Sequence, residues 1–192
     1  MLMGAEMAYT AKDYEKALHI YKQLKDKAAS MERRQLAKTG MLRSAHMLGN
    51  EEEIIFTATD LLADTKLAPE LSNEAHYYRA KAYLDAGKTD GAMEDLKVLA
   101  KDTRNVYGAE AKYKVAQIYF DGGQTDKAEQ EVLNYIEVST PHTYWLARSF
   151  VLLADVYMKL GRNLDAKQYL LSLKQNYQAD DDIAGMIESR LE

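Results

Sequence analysis

Four glycines, Gly49, Gly87, Gly123 and Gly161, stand 38, 36 and 38 residues apart, and each sits in the same frame of side chains. Ala116 precedes Gly123 by seven residues and Tyr119 by four, while Ala128, Val132 and Tyr135 follow it by five, nine and twelve. Gly87 has Ala80 and Tyr83 before it and Ala92, Leu96 and Leu99 after it at the same offsets. Gly161 has Ala154, Tyr157, Ala166, Leu170 and Leu173, and Gly49 a looser version in Leu42, Ala45, Ile54, Ala58 and Leu61. A fifth copy lies 37 residues upstream of Gly49, where Lys12 takes the glycine place between Ala5, Ala8 and Ala17, Tyr21, Leu24. Offsets of three, four and seven put side chains on one face of a helix, and a glycine ends one. The frame therefore predicts two amphipathic helices joined by a glycine turn. Its recurrence every 36 to 38 residues predicts a solenoid of helix pairs.

Composition agrees with that reading and removes several others. Only 2 prolines in 192 residues, with 47% hydrophobic and 29% charged side chains, suit a folded and largely helical chain. A net charge of −5 argues against a nucleic-acid binder, and the densest basic stretch, Lys22 to Lys38, is broken by Asp26 and Glu32. The absence of cysteine excludes disulfides, thiolate metal sites and a cysteine nucleophile. The opening MLMGAEMAYT lacks the basic region of a signal peptide, and no apolar run is long enough to cross a bilayer. The first repeat begins almost at Met1, as expected for a segment of a longer chain.

Taken in order, the repeats are expected at about 1–28, 31–65, 69–102, 106–138 and 141–177, with a capping helix over 180–192, all within one domain spanning 1–192. Expected helix starts are Thr10 paired with Asp13, a capping box of Asn50 and Glu53, Pro69 with Glu70, Thr89 as a cap, Thr140 with Pro141, and Asn163 as a cap. Glu51 to Glu53 read as a favourable helix N-terminus rather than a metal site. Trp145 is expected to pack its helix on the preceding repeat. In the tail, Asp180 to Asp182 precede Ile183, Ile187 and Leu191, an apolar stripe suited to covering the last open edge of the array. The three aspartates lack the spacing of a calcium loop.

No catalytic, cofactor or metal motif emerges. His19, His46, His76 and His142 lie in different repeats, and HExxH, GxSxG, Walker and GxGxxG patterns are missing. Gly122-Gly123 is a helix-to-helix turn. The expectation is a non-enzyme without catalytic, cofactor-binding or metal residues.

The small residue, the Tyr three later, the Gly seven later and the Ala five beyond it resemble the tetratricopeptide repeat (TPR), over residues 1 to about 177. The Trp of the first helix and the Pro ending the second are missing, and the period exceeds the usual 34. The long period resembles bacterial cell-envelope repeat proteins of the BamD and YbgF kind, and Thr140 to Tyr177 resembles the C-terminal part of large Bacteroides-type repeat proteins. What the resemblance implies is an all-α, right-handed superhelical solenoid of about five helix pairs plus the capping helix. It further implies a non-catalytic scaffold or adaptor that holds a protein or peptide on its concave face. Two alternatives accompany it: a structural or oligomerising segment of a larger envelope protein, and a sugar-binding (SusD-like) or enzyme domain. The periplasm or cell envelope is the implied compartment, with the cytoplasm left open.

In the family, positions 2, 5, 9, 12 and 13 of each first helix line the concave face. Carried onto this chain, they give Glu74, Tyr77, Lys81, Leu84 and Asp85 in the third repeat. The fourth gives Glu110, Tyr113, Gln117, Phe120 and Asp121, and the fifth Arg148, Val151, Asp155, Met158 and Lys159. The second gives Leu36, Thr39, Arg43, His46 and Met47. Partner contacts are expected at Tyr77, Lys81, Leu84, Tyr113, Gln117, Phe120, Arg148, Asp155 and Met158. The family's clamp for chaperone C-terminal tails needs Lys and Asn at positions 5 and 9. Tyr77 with Lys81 and Tyr113 with Gln117 stand there instead, so such tails are not the expected partner.

Overall fold

The computed structural model describes residues 1–138 and 140–192. Among them it contains eleven α-helices and no strand. They are α1 (Leu2–Thr10), α2 (Tyr14–Lys27), α3 (Met31–Leu48), α4 (Glu51–Leu62), α5 (Pro69–Asp85), α6 (Thr89–Leu99), α7 (Val106–Asp121), α8 (Thr125–Glu137), α9 (Thr143–Lys159), α10 (Asn163–Asn176) and α11 (Ile183–Leu191). No helix among the described residues is long and apolar enough to cross a membrane. The chain divides into two compact units, residues 1–95 and 96–192.

The turn inside each helix pair is built the same way five times. Gly49, Gly87, Gly123 and Gly161 have φ of 66°, 74°, 78° and 77°, and Lys12 joins them at 64° as the sole described non-glycine with positive φ. The amide after each of these residues donates back to the carbonyl four before it: Asp13 to Ala8, Asn50 to Ala45, Lys88 to Tyr83, Gln124 to Tyr119 and Arg162 to Tyr157, at 2.7–3.0 Å. This six-to-one bond closes the left-handed C-terminal cap of the first helix. It also fixes where the second helix starts, since the residue after the left-handed one becomes its N-cap. Hence Asp13 itself caps α2, accepting from the Lys16 amide at 3.2 Å, and Thr10 takes no part. Arg162 rather than Asn163 precedes α10, and Thr89 is already the first residue of α6. Asn50 caps α4 as expected, but Glu53 does not reciprocate; its carboxylate turns to Lys22 and the Thr57 hydroxyl.

A buried alanine, five places after four of the turns and nine places after Gly49, marks the point of closest helix approach. Ala17, Ala58, Ala92 and Ala128 have no exposed surface and Ala166 has 1%. In residues 1–95, α1 packs on α2, α2 on α3, α3 on α4 and α4 on α5, and the first helices α1, α3 and α5 also touch in sequence. The core there falls into one cluster around Ala17, Leu18, Tyr21 and Met41 and another around Leu42, Ile54, Ala58 and Leu61. A Cβ on Gly40 would overlap the Tyr21 ring, so this glycine lets α2 and α3 approach.

In residues 96–192 a single cluster runs from Tyr113 and Ala116 through Leu152 and Leu153 to Ile183 and Ile187. The Tyr135 hydroxyl donates to the Ala109 carbonyl at 3.0 Å, and burial pushes its phenol up to about 12. Trp145 stacks beside Tyr113 of the preceding first helix, with ring centroids 5.7 Å apart. The tail caps the array as its stripe predicts: Ile183 and Ile187 are 1% and 2% exposed against α9 and α10, and Leu191 packs on the same cluster.

Candidate partner-binding face

Each unit presents a face made by its first helices. In residues 1–95 this face is α1, α3 and α5, because the helical period returns Leu36, Thr39, Arg43 and Met47 of α3 to the side away from α2 and α4. Leu36 and Met47 are nearly half exposed. A groove of about 370 Å³ opens there, floored by Leu2, Tyr9, Tyr21 and Gly40 and edged by Glu6, Leu36 and Arg43. Arg43 is fixed from α5 by a bidentate pair with Glu74, at 2.7 and 3.0 Å. His46 stacks on Tyr78 at 4.2 Å, and burial, reinforced by the nearby Lys81 ammonium, holds its imidazole below the usual value. Tyr77, Lys81 and Leu84 are all half-buried on α5, with the Lys81 ammonium 5.6 Å from the Tyr77 ring centroid.

In residues 96–192 the equivalent face is α7, α9 and α11, and it is laced to itself. Tyr113, expected to offer its ring, is 6% exposed. Its hydroxyl donates to Gln117 Oε1 at 2.9 Å and accepts from Arg148 Nη2 at 2.9 Å. Burial pushes the Tyr113 phenol up, partly offset by the Arg148 charge. Gln117 passes its amide to Asp121 at 2.8 Å. Arg148 also donates to the Tyr144 hydroxyl at 3.0 Å, and Tyr144 donates to Asp182 before α11 at 2.9 Å. Asp155 takes both arms of Arg190 from α11, at 2.7 and 3.0 Å. Phe120 and Met158 are half-buried against the core. Of the nine expected contact residues, Tyr77, Lys81 and Leu84 belong to the first unit, and the other six are gathered on this second face.

Sequence reading passed over two buried charge clusters. Asp95 is 1% exposed, receives Arg79 through two hydrogen bonds at 2.9 and 2.7 Å, and lies 2.7 Å from His76 Nδ1. Lys112 is 9% exposed and reaches Asn134 at 2.6 Å and Glu131 at 2.7 Å. A signal existed for both. Asp95 stands three residues after Ala92 and four before Leu99, and Lys112 three before Val115, so each charge lies on the inward stripe of its helix. No group of three or more His, Asp or Glu placed to hold a metal occurs among the described residues.

The fold is an all-helical array of helix pairs, and two of its segments are similar to a known repeat family. Residues 74–102 and 147–175 match family models described as tetratricopeptide repeat. A crystal structure of MamA superposes with a TM-score of 0.69 at 19% identity, covering 89% of this chain and 92% of that one. A second crystal structure of MamA protein gives 0.68 at 17%, covering 94% of each chain. Nearly identical TPR-like repeats from Podosopora anserina, named for kinesin light chain, give 0.62 at 18%, covering 89% and 90%. At these identities the likeness is one of fold. No curated protein sequence matches the chain.

Proposed function

We propose that the chain is a non-catalytic scaffold that holds a protein or peptide partner on its first-helix faces. The observation carrying this reading is the groove of residues 1–95, where half-exposed Leu36 lies beside the fixed Arg43–Glu74 pair. Apolar surface beside anchored charge is the mixture protein interfaces use. Two tetratricopeptide matches support it, since such repeats present extended binding surfaces. Tyr77, Lys81 and Leu84 extend the contact along α5. In residues 96–192 a partner meets half-buried Gln117, Phe120 and Met158. To reach Tyr113, Arg148 or Asp155 it must compete with hydrogen bonds those side chains already make. The turn spacing stays within 36–38 residues from Gly49 through Gly161, which supports counting residues 1–192 as one repeat domain. The 36–38-residue period is what supports a cell-envelope type.

The test combines Leu36→Glu with Tyr77→Ala and measures circular dichroism together with affinity for a partner purified from the native source. A folded double variant that binds at least tenfold more weakly is the expected result. Undiminished binding places the partner on another face.

A structural role is the second reading, favoured by α11 filling the first-helix face of residues 96–192 with the chain's own side chains. It predicts concentration-dependent self-association in sedimentation velocity, and a chain that stays monomeric throughout removes it.

A further inference from the structure

Among the hollows away from the first-helix faces, one gathers three lysines. In residues 96–192 a pocket of about 320 Å³ opens over α7, between the end of α6 and the second half of α8. Its floor is Val115 with Ala100 and Val138, and three lysines reach its walls: Lys97, Lys101 and Lys112. Glu131 is the single carboxylate among the described residues that line it. Lys112 is the unusual member. Nine-tenths of it is buried, and two of its three N–H donors go to Glu131 Oε1 and Asn134 Oδ1. Among the described residues neither Lys97 nor Lys101 makes an ion pair, and the Tyr119 ring lies 5.7 Å from the Lys97 ammonium. Lysines near the end of α6 complement its dipole, which accounts for cations at 97 and 101. It does not account for a buried ammonium on α7 beside them, or for an apolar floor between the three.

We propose that this pocket is a recognition site for an acidic segment of a partner protein, whose carboxylate is taken by Lys97, Lys101 and the remaining donor of Lys112 while an adjoining apolar side chain rests on Val115 and Val138. Three ammonium groups against one carboxylate leave the hollow electropositive within a chain of net charge −5. Burial of Lys112 removes water that would screen the attraction. The site shares no residue with the first-helix faces, so it does not rest on the reading above.

The probe is an acetylated, amidated hexapeptide alternating leucine and glutamate, titrated into ¹⁵N-labelled protein beside its leucine–glutamine counterpart. The glutamate peptide should shift the amides of Ala100, Val115 and Asn134 saturably, and the glutamine peptide should bind at least tenfold more weakly. Lys97→Glu with Lys101→Glu, both exposed, should abolish the shifts without changing the melt. Lys112→Met should weaken binding tenfold or more, and if it unfolds, the exposed pair still decides. Equal binding of the two peptides, full binding by the charge-reversed variant, or shifts confined to Leu36 and Tyr77 would each overturn the assignment. The last outcome would instead favour the first-helix face.

Discussion

Arg190 closes on Asp155 through two hydrogen bonds of 2.7 and 3.0 Å, tying the last helix to the first helix of the fifth pair. Both side chains keep about a quarter of their surface in water, so the pair contributes on the order of 1 kcal/mol or less. Ile183 and Ile187 beneath it are buried, each worth about 1.5–3 kcal/mol. Apolar burial therefore holds α11, with the ion pair setting its register. Ile187→Ala should destabilise by about 2–5 kcal/mol and Arg190→Ala by no more than about 1. Chemical denaturation of both variants checks the order, and a larger loss from Arg190→Ala would reverse the assignment.

Asp95 lies between Arg79 and His76 at 1% exposure. Burial alone pushes its carboxyl up, but the hydrogen bonds from His76 and Arg79 outweigh this and hold it below the usual value. A depressed carboxyl stabilises the fold above its unfolded pKa of about 4, and that contribution is lost as pH falls through the folded value. Asp95→Ala should cost about 3 kcal/mol at neutral pH by leaving Arg79 unpaired. The gap from wild type should close below about pH 4. Urea titrations at pH 7 and pH 3 supply both numbers, and a gap independent of pH contradicts the pairing.

Lys12 holds φ at 64° in the place where the other four turns have glycine. A side chain with a Cβ strains in that region by about 1 kcal/mol. Lys12→Gly should stabilise by a few tenths to about 1 kcal/mol, the flexibility gained by the unfolded chain offsetting part of the relief. The readout is the thermal midpoint, and a lower one means Lys12 makes a contact that outweighs its strain.

Ala128 has no exposed surface where α7 and α8 approach. Ala128→Leu adds three carbons to a filled site and should cost about 1–3 kcal/mol by overpacking. A melt identical to wild type would mean the pair relaxes freely.

Tyr113 stands among Gln117, Arg148 and Trp145. Tyr113→Ala should lose about 3–5 kcal/mol through the cavity and the unpaired Arg148. Tyr113→Phe, which keeps the ring, should lose about 1–2. Equilibrium unfolding distinguishes them. A stable Tyr113→Ala variant would return this ring to the surface.

The repeat was fully legible in the sequence because it is local. A small residue at fixed distance from a left-handed turn is dictated by helical period and by the steric cost of φ above zero, so Gly49, Gly87, Gly123, Gly161 and even Lys12 were found from spacing alone. The buried alanines and the stripe of Ile183 and Ile187 followed for the same reason. The caps differ from expectation at Thr10, Thr89 and Asn163, because the turn's own hydrogen bond rather than side-chain preference sets where the second helix starts. Tertiary structure alone decided which first-helix residues face water. Tyr77 and Tyr113 hold the same repeat position, and nothing in their local sequence separates them. Tyr113 is buried because Arg148, thirty-five residues on, and Trp145 close over it. The partners of Asp95, Lys112 and Asp155 likewise come from other helices, at separations of 16 to 35 residues. Charge pairing at that range depends on which helix faces pack together, and a single sequence carries no local signal of it.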